Sequence, residues 1–236
     1  MWQAFNLYVT EIYLYVKIKS MKVNWGDDMK RILLLMLIVL TLSGCGSETQ
    51  DNTSAEPVKV QTSDKKILVV YFSRIGEEYG TNVITRGNTA IVAEIIANKT
   101  GADIFEIKAV KPYPEEYEPC VEVAKKELES NSRPNIVGNV ENLAQYDTIF
   151  VGYPIWLGEM PRIILTFLES NDFNGKKIIP FCTHGGSGLS GTEREIKNAC
   201  PDATVLKGLS IIGKTAQNNS AAVEKDIDTW LKDLGY

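Results

Sequence analysis

From residue 66 to 236, short β-rich apolar runs alternate with amphipathic stretches, and this alternation restricts the possible folds more than any other feature of the chain. It is the pattern of βαβ units that build a parallel sheet. Five runs read as strands: 67–72, 103–107, 148–152, 177–182 and 204–209. The first is continuously apolar, as a strand covered on both faces requires, whereas the second alternates and reads as an edge. Pro180 is the awkward member of the fourth, because a proline cannot donate to a ladder. The helix candidates are 90–99, 115–130, 161–169, 190–199 and 221–234. Ile91, Ile95 and Ile96 share one helical face, Gly101 suits a helix C-terminus, and Pro161 suits a first turn. Right-handed crossovers then put helices on both faces, giving a doubly wound three-layer α/β domain. In such domains ligands bind outside the carboxyl ends of the strands, so the chemistry is expected just after the first, third and fourth runs.

The loops at those three places are unusual. After the first run, Ser73 and Arg74 precede a variable stretch, and then Gly87, Asn88 and Thr89 open a helix. A hydroxyl, a glycine and a helix start make a cradle for an anion, since first-turn N–H groups and the helix dipole both favour negative charge. After the third run comes Tyr153-Pro154-Ile155-Trp156-Leu157-Gly158, an aromatic loop leading to Pro161. A Trp and a Tyr at this edge are costly to expose and make sense as a wall against a flat heterocycle, where stacking is worth about 1 kcal/mol beyond area burial. After the fourth run comes Thr183-His184-Gly185-Gly186-Ser187, which holds the only histidine of the chain. Its glycines let backbone approach a ligand closely.

These three strings together resemble the flavodoxin family. Flavodoxins bind the phosphate of FMN with a Ser/Thr-x-x-Gly-Asn-Thr-like loop after the first strand, and this chain carries such a loop with residues 74–86 inserted between its hydroxyl and Gly-Asn-Thr ends. Gly-Tyr-Pro-x-Trp is similar to the family's isoalloxazine loop, and Cys-Thr-His-x-Gly-Ser-Gly-Leu-Ser-Gly-Thr to its third loop. The resemblance covers nearly all of 66–236. It implies a five-stranded sheet of order 2-1-3-4-5, with FMN held by Asn88 and Thr89 at the phosphate, residues 153–158 beside the ring, and residues 183–187 at its pyrimidine side. The flavin would carry the redox step, so no nucleophile or acid–base pair is needed.

The amino terminus carries a second message. Met29, Lys30 and Arg31 precede an apolar run of about 11 residues that ends in Leu42-Ser43-Gly44-Cys45. This fits a secretory signal, since the run is short of the roughly 20 residues needed to span a bilayer. It also resembles the bacterial lipobox, which implies lipidation at Cys45 and a lipid-anchored domain on the extracytoplasmic face of the cell membrane. Residues 1–28 are then a misassigned start ahead of a 29–44 signal peptide, because an aromatic-rich leader would bury the basic segment. Any codons for Trp25-Gly26 read TGGGGN, a purine-rich run just before the codon of Met29. Residues 45–65 read as a flexible polar tether with little to bury, about 25 Å from end to end on average.

The net charge is −5, and acidic and basic residues are interspersed, which excludes the electrostatic footprint of a nucleic-acid binder. Removing residues 1–44 takes away five basic and three acidic residues, leaving 20 against 27, a net charge of about −7 for the mature form. An acidic domain is repelled by an anionic bilayer and is better tethered off it than laid on it. Besides Cys45 the cysteines are Cys120, Cys182 and Cys200, with no CxxC and no metal spacing, so no metal is expected. Cys182 reads as a small buried hydrophobe, and Cys120 could bridge Cys200 only if their helices shared a face. Three classes stay open: an electron carrier with a redox partner protein, an FMN-dependent reductase of quinones or similar acceptors, and a flavin-free ligand-binding lipoprotein.

Overall fold

The computed structural model describes residues 66–79 and 82–236. The segments expected to be a misassigned start, a signal peptide and a tether, with the expected lipidation site Cys45, all lie outside the described residues. The elements are β1 (Ile67–Tyr71), β2 (Gly76–Glu77), β3 (Val83–Ile84), α1 (Asn88–Thr100), β4 (Asp103–Glu106), α2 (Tyr117–Glu129), a 3-10 turn (Leu143–Gln145), β5 (Thr148–Pro154), α3 (Arg162–Glu169), β6 (Lys177–His184), α4 (Thr192–Ala199), β7 (Thr204–Val205), β8 (Leu209–Ile212), α5 (Gly213–Asn218) and α6 (Ser220–Leu234).

The main sheet runs β4-β1-β5-β6, with β7 and β8 together filling the fifth position, and every pairing in it is parallel. This is the order 2-1-3-4-5 in a mostly parallel sheet flanked by helices, as expected. The period of two is visible in β1: Leu68 and Val70 point into one core with α3 and α4, while Val69 and Tyr71 point into the other with α1 and α6. The helix 90–99 starts two residues early, at Asn88. Its cap comes from outside the helix, because Ser73 Oγ accepts the Ala90 N–H at 3.1 Å.

The fifth strand is not the single run 204–209. Ile178 pairs with Val205 and Phe181 with Leu209, so two residues of β6, Ile179 and Pro180, face three on the partner. That is a bulge. Ile178 accepts from the Leu206 N–H on this side of β6. Pro180, two residues on, therefore turns its missing donor toward the same strand. The displaced backbone is satisfied by side chains: Trp230 Nε1–H donates to Lys207 O at 2.9 Å, and Glu193 Oε1 accepts the Gly208 N–H at 2.7 Å.

The insertion 74–86 carries the antiparallel pair β2–β3. Arg74 pins it, its Nη1 donating to the Pro114 and Glu115 carbonyls at 2.9 Å each and its Nη2 to Glu77 O. Cys120, Cys182 and Cys200 are free and buried, so Cys120 and Cys200 do not bridge. Among the described residues no helix is long and apolar enough to cross a membrane.

Candidate functional site

A cavity of about 270 Å³ opens at the carboxyl ends of β1, β5, β6 and β8. Of the sixteen residues expected at a ligand, nine line it: Arg74, Asn88, Pro154, Ile155, Trp156, Leu157, Thr183, His184 and Gly185. The three loops therefore converge on one space. Ser73, Gly87, Thr89, Tyr153, Gly158, Gly186 and Ser187 are not among its lining residues.

Tyr153 is the clear correction, because it is a core residue and not a wall. The strand β5 continues to Pro154, and Tyr153 keeps the inward side of Val151, fully buried, with its hydroxyl donating to Thr192 Oγ1 at 2.8 Å. Burial drives its hydroxyl above the ordinary phenol range. Of the two aromatic residues expected from this loop, only Trp156 lines the cavity. Its ring meets Tyr113 and Phe72 edge-on, with centroids 5.0 and 5.5 Å apart. The turn that carries it is a tight hairpin: Trp156 and Glu159 exchange both backbone hydrogen bonds at 2.9 and 3.0 Å, and Leu157 (φ 52°) and Gly158 (φ 84°) are both left-handed. Arg162, at the first turn of α3, holds the Glu159 carboxylate and reaches Glu195 of α4 at 3.1 Å. The hairpin is thereby tied to two helices.

The first loop braces the cradle more than it lines it. A Cβ on Gly87 would fall 2.1 Å from Ser73 Oγ and 2.6 Å from Arg74 O, so only glycine lets the chain pass there. Thr89 Oγ1 and Thr183 Oγ1 share a buried hydrogen bond of 2.8 Å, which joins the first loop to the third. Asn88 faces the cavity, and Gln217 Nε2 donates to its Oδ1 at 2.8 Å and to Arg86 O at 2.7 Å. The N–H groups of Asn88 and Thr89 have no i−4 carbonyl within their helix.

In the third loop the Gly186 N–H donates to His184 Nδ1 at 2.9 Å, which leaves the proton of the neutral ring on Nε2. Burial lowers the pKa of His184 below its ordinary 6.5. The site's other charges are the Arg74–Glu78 pair, 3.2 Å apart, and Lys214. Burial raises the Glu78 carboxyl although Arg74 pulls it down.

Nine further lining residues escaped the sequence reading. Ile212, Gly213 and Lys214 form a fourth wall at the end of β8, where a Cβ on Gly213 would fall 2.6 Å from Asn88 Nδ2. Glu78 and Tyr79 come from the insertion, with the Tyr79 ring so close to Gly185 that a Cβ there would fall 2.8 Å from it. Tyr117, Cys120, Val121 and Ala124 come from α2. The last four had a legible signal, because the spacing i, i+3, i+4, i+7 is one helical face. Among the described residues no group of His, Cys, Asp or Glu is placed to hold a metal ion.

The sequence profile of the flavodoxin family matches residues 66–233. Among solved structures, the chain is 31% identical to a proposed flavoprotein from Bacteroides eggerthii, over 73% of this chain and 99% of that one, with a TM-score of 0.58. It is 33% identical to a proposed flavoprotein from Bacteroides uniformis, over 71% and 98%, with a TM-score of 0.55. A flavoprotein from Lactobacillus acidophilus, solved in complex with FMN, shares the fold at 19% identity over 70% and 98%, with a TM-score of 0.52. No curated protein matches the chain.

Proposed function

The chain belongs to the flavodoxin family, and from that premise we propose that it binds FMN in the cavity at the sheet's carboxyl edge and transfers electrons while tethered to the extracytoplasmic membrane face through Cys45. The observation that carries this reading is the convergence of a helix N-terminus, an aromatic wall and a glycine-rich loop on one space. Asn88 at the start of α1, Trp156 on its braced hairpin, and His184 and Gly185 beyond β6 all line it. The residues fit the group. Gly87 lets Ser73 and Arg74 pack close where a Cβ would strike them, and Asn88, which opens α1, lines the cavity at the helix end that favours a phosphate. Trp156 would stack on the ring, and the His184 Nε2–H and the backbone of Gly185 would supply donors at its polar edge. FMN bound there would supply one- and two-electron redox chemistry, and the chain's own part is to orient it, exclude water and set its potential through these contacts. The membrane reading is supported by the basic segment, apolar run and Leu42-Ser43-Gly44-Cys45 of the amino terminus.

The purified protein is expected to be yellow, with a flavin spectrum that changes when Trp156 is replaced by Ala. A colourless protein that ignores added FMN would sink the reading. A second reading, a reductase of quinones or similar acceptors, is favoured by one observation: α2 adds an apolar face to the cavity beyond the loops a flavin needs. Saturable turnover with NADPH and a quinone supports the reductase, and its absence supports a carrier serving a partner protein.

A further inference from the structure

The turn from β8 into α5 lies directly on the residue that opens α1. A Cβ on Gly213 would fall 2.6 Å from Asn88 Nδ2, so the chain passes there only as glycine. One helical turn on, Gln217 Nε2 donates to Asn88 Oδ1 at 2.8 Å and to Arg86 O at 2.7 Å. Two contacts thus fix the start of α5 against the start of α1. Lys214 falls between them in sequence, and it lines the cavity together with Asn88. Its position beside the helix end that favours an anion is therefore set by the fold, although it belongs to none of the three loops that carry the flavin strings. Asn88 is buried there, whereas Lys214 stays exposed at the rim.

Charge singles this residue out. Two arginines stand near the same corner, and both are committed elsewhere. Arg74 donates to the Pro114, Glu115 and Glu77 carbonyls and pairs with Glu78, while Arg86 holds the Glu94 carboxylate. Among the described residues Lys214 enters no ion pair. Asn218 Nδ2 donates to its carbonyl at 2.9 Å, a bond that leaves the ammonium uncommitted. The chain as a whole has a net charge of −5, so its long-range field opposes an anionic ligand, and a local cation at the cavity offsets that field. A phosphate monoester carries about −1.5 to −2 at pH 7. The end of α1 meets it with partial charges, whereas an ammonium meets it with a full one. We propose that Lys214 recognises the phosphate at this cavity and gives the site its preference for phosphorylated flavin over riboflavin. The proposal rests on the flavin reading above and deepens it by naming the residue that selects between the two forms.

The test is equilibrium binding, with no turnover needed. FMN and riboflavin are each titrated by fluorescence with the flavin-free full-length chain, its fold checked by circular dichroism, at low and at physiological ionic strength. Lys214→Met should weaken FMN about fivefold, between the effect of an exposed ion pair and that of a charge-assisted hydrogen bond, and leave riboflavin within about twofold. Lys214→Arg should keep the parent's preference. FMN affinity should also fall with added salt more steeply in the parent than in Lys214→Met. Equal losses for the two flavins would overturn the proposal by placing Lys214 at the ring. No loss for either would overturn it as well, leaving a solvated surface charge. A parent that binds neither flavin refutes the flavin reading itself, and that result is recognised before any substitution is made.

Discussion

Thr89 and Thr183 meet through their hydroxyls in a buried contact of 2.8 Å, and this bond fastens the start of α1 to the end of β6. The α1 side of the cavity and its β6 side are thus set against each other by one pair of side chains. Replacing either residue by Val strands the other hydroxyl out of water, at a cost of about 1–3 kcal/mol. Replacing both leaves two apolar groups of similar shape in contact. Thr89→Val and Thr183→Val are expected to lower stability singly, and the double variant to recover most of the loss, as urea unfolding of the three proteins would reveal.

Gly87 stands where a side chain would strike Ser73 Oγ, the atom that caps α1 through the Ala90 N–H. Gly87→Ala should push Ser73 aside and free that N–H, costing about 1–2 kcal/mol from the cap. FMN affinity should fall with it, because the same turn presents Asn88. Thermal melts and FMN titration of this one variant measure both effects.

His184 gives the fold an acid limit. Burial holds its pKa below 6.5, so above that pH the ring is neutral in both folded and unfolded chains. As the pH falls below 6.5 the unfolded chain takes up the proton first, and stability is lost progressively until the folded ring titrates as well. Protonation would also remove Nδ1 as the acceptor of the Gly186 N–H. Urea midpoints at pH 7.5, 6.5 and 5.5 should therefore decline more steeply for the parent than for His184→Gln, and equal slopes would contradict this account.

Leu157 occupies a left-handed backbone conformation with half of its surface exposed. Such a conformation costs a non-glycine residue about 1–2 kcal/mol. Leu157→Asn is expected to stabilise the domain by about 0.5–1 kcal/mol and to weaken FMN binding, since an apolar lining residue is removed. Differential scanning calorimetry combined with flavin titration would separate the two effects.

Strand positions and three of the site's walls were legible because they depend on local pattern: apolar runs of strand length, helix starts, and loop strings at the carboxyl ends; the sheet order came with the family resemblance those strings carry. What escaped depends on neighbours distant in sequence. Nothing in residues 204–209 announces the bulge, which arises where Pro180 of β6 lacks a donor. Tyr153 was read as loop because β5 runs two residues beyond Gly152, and strand parity then carries its ring inward. Tyr79 sits in a segment with no periodicity, and its role follows from the clamp that Arg74 applies. The face of α2 was readable by spacing. Which way it turned was not, because an apolar stripe does not say whether it meets a sheet or a cavity.

Gln217 reaches back across 129 residues to Asn88, and beside it Ile212, Gly213 and Lys214 complete the cavity. A growing chain that has not yet emitted these positions possesses the helix start, the tryptophan hairpin and the histidine turn, but an open side where the final wall belongs. Any flavin held there would meet its last wall only once the chain had reached Lys214.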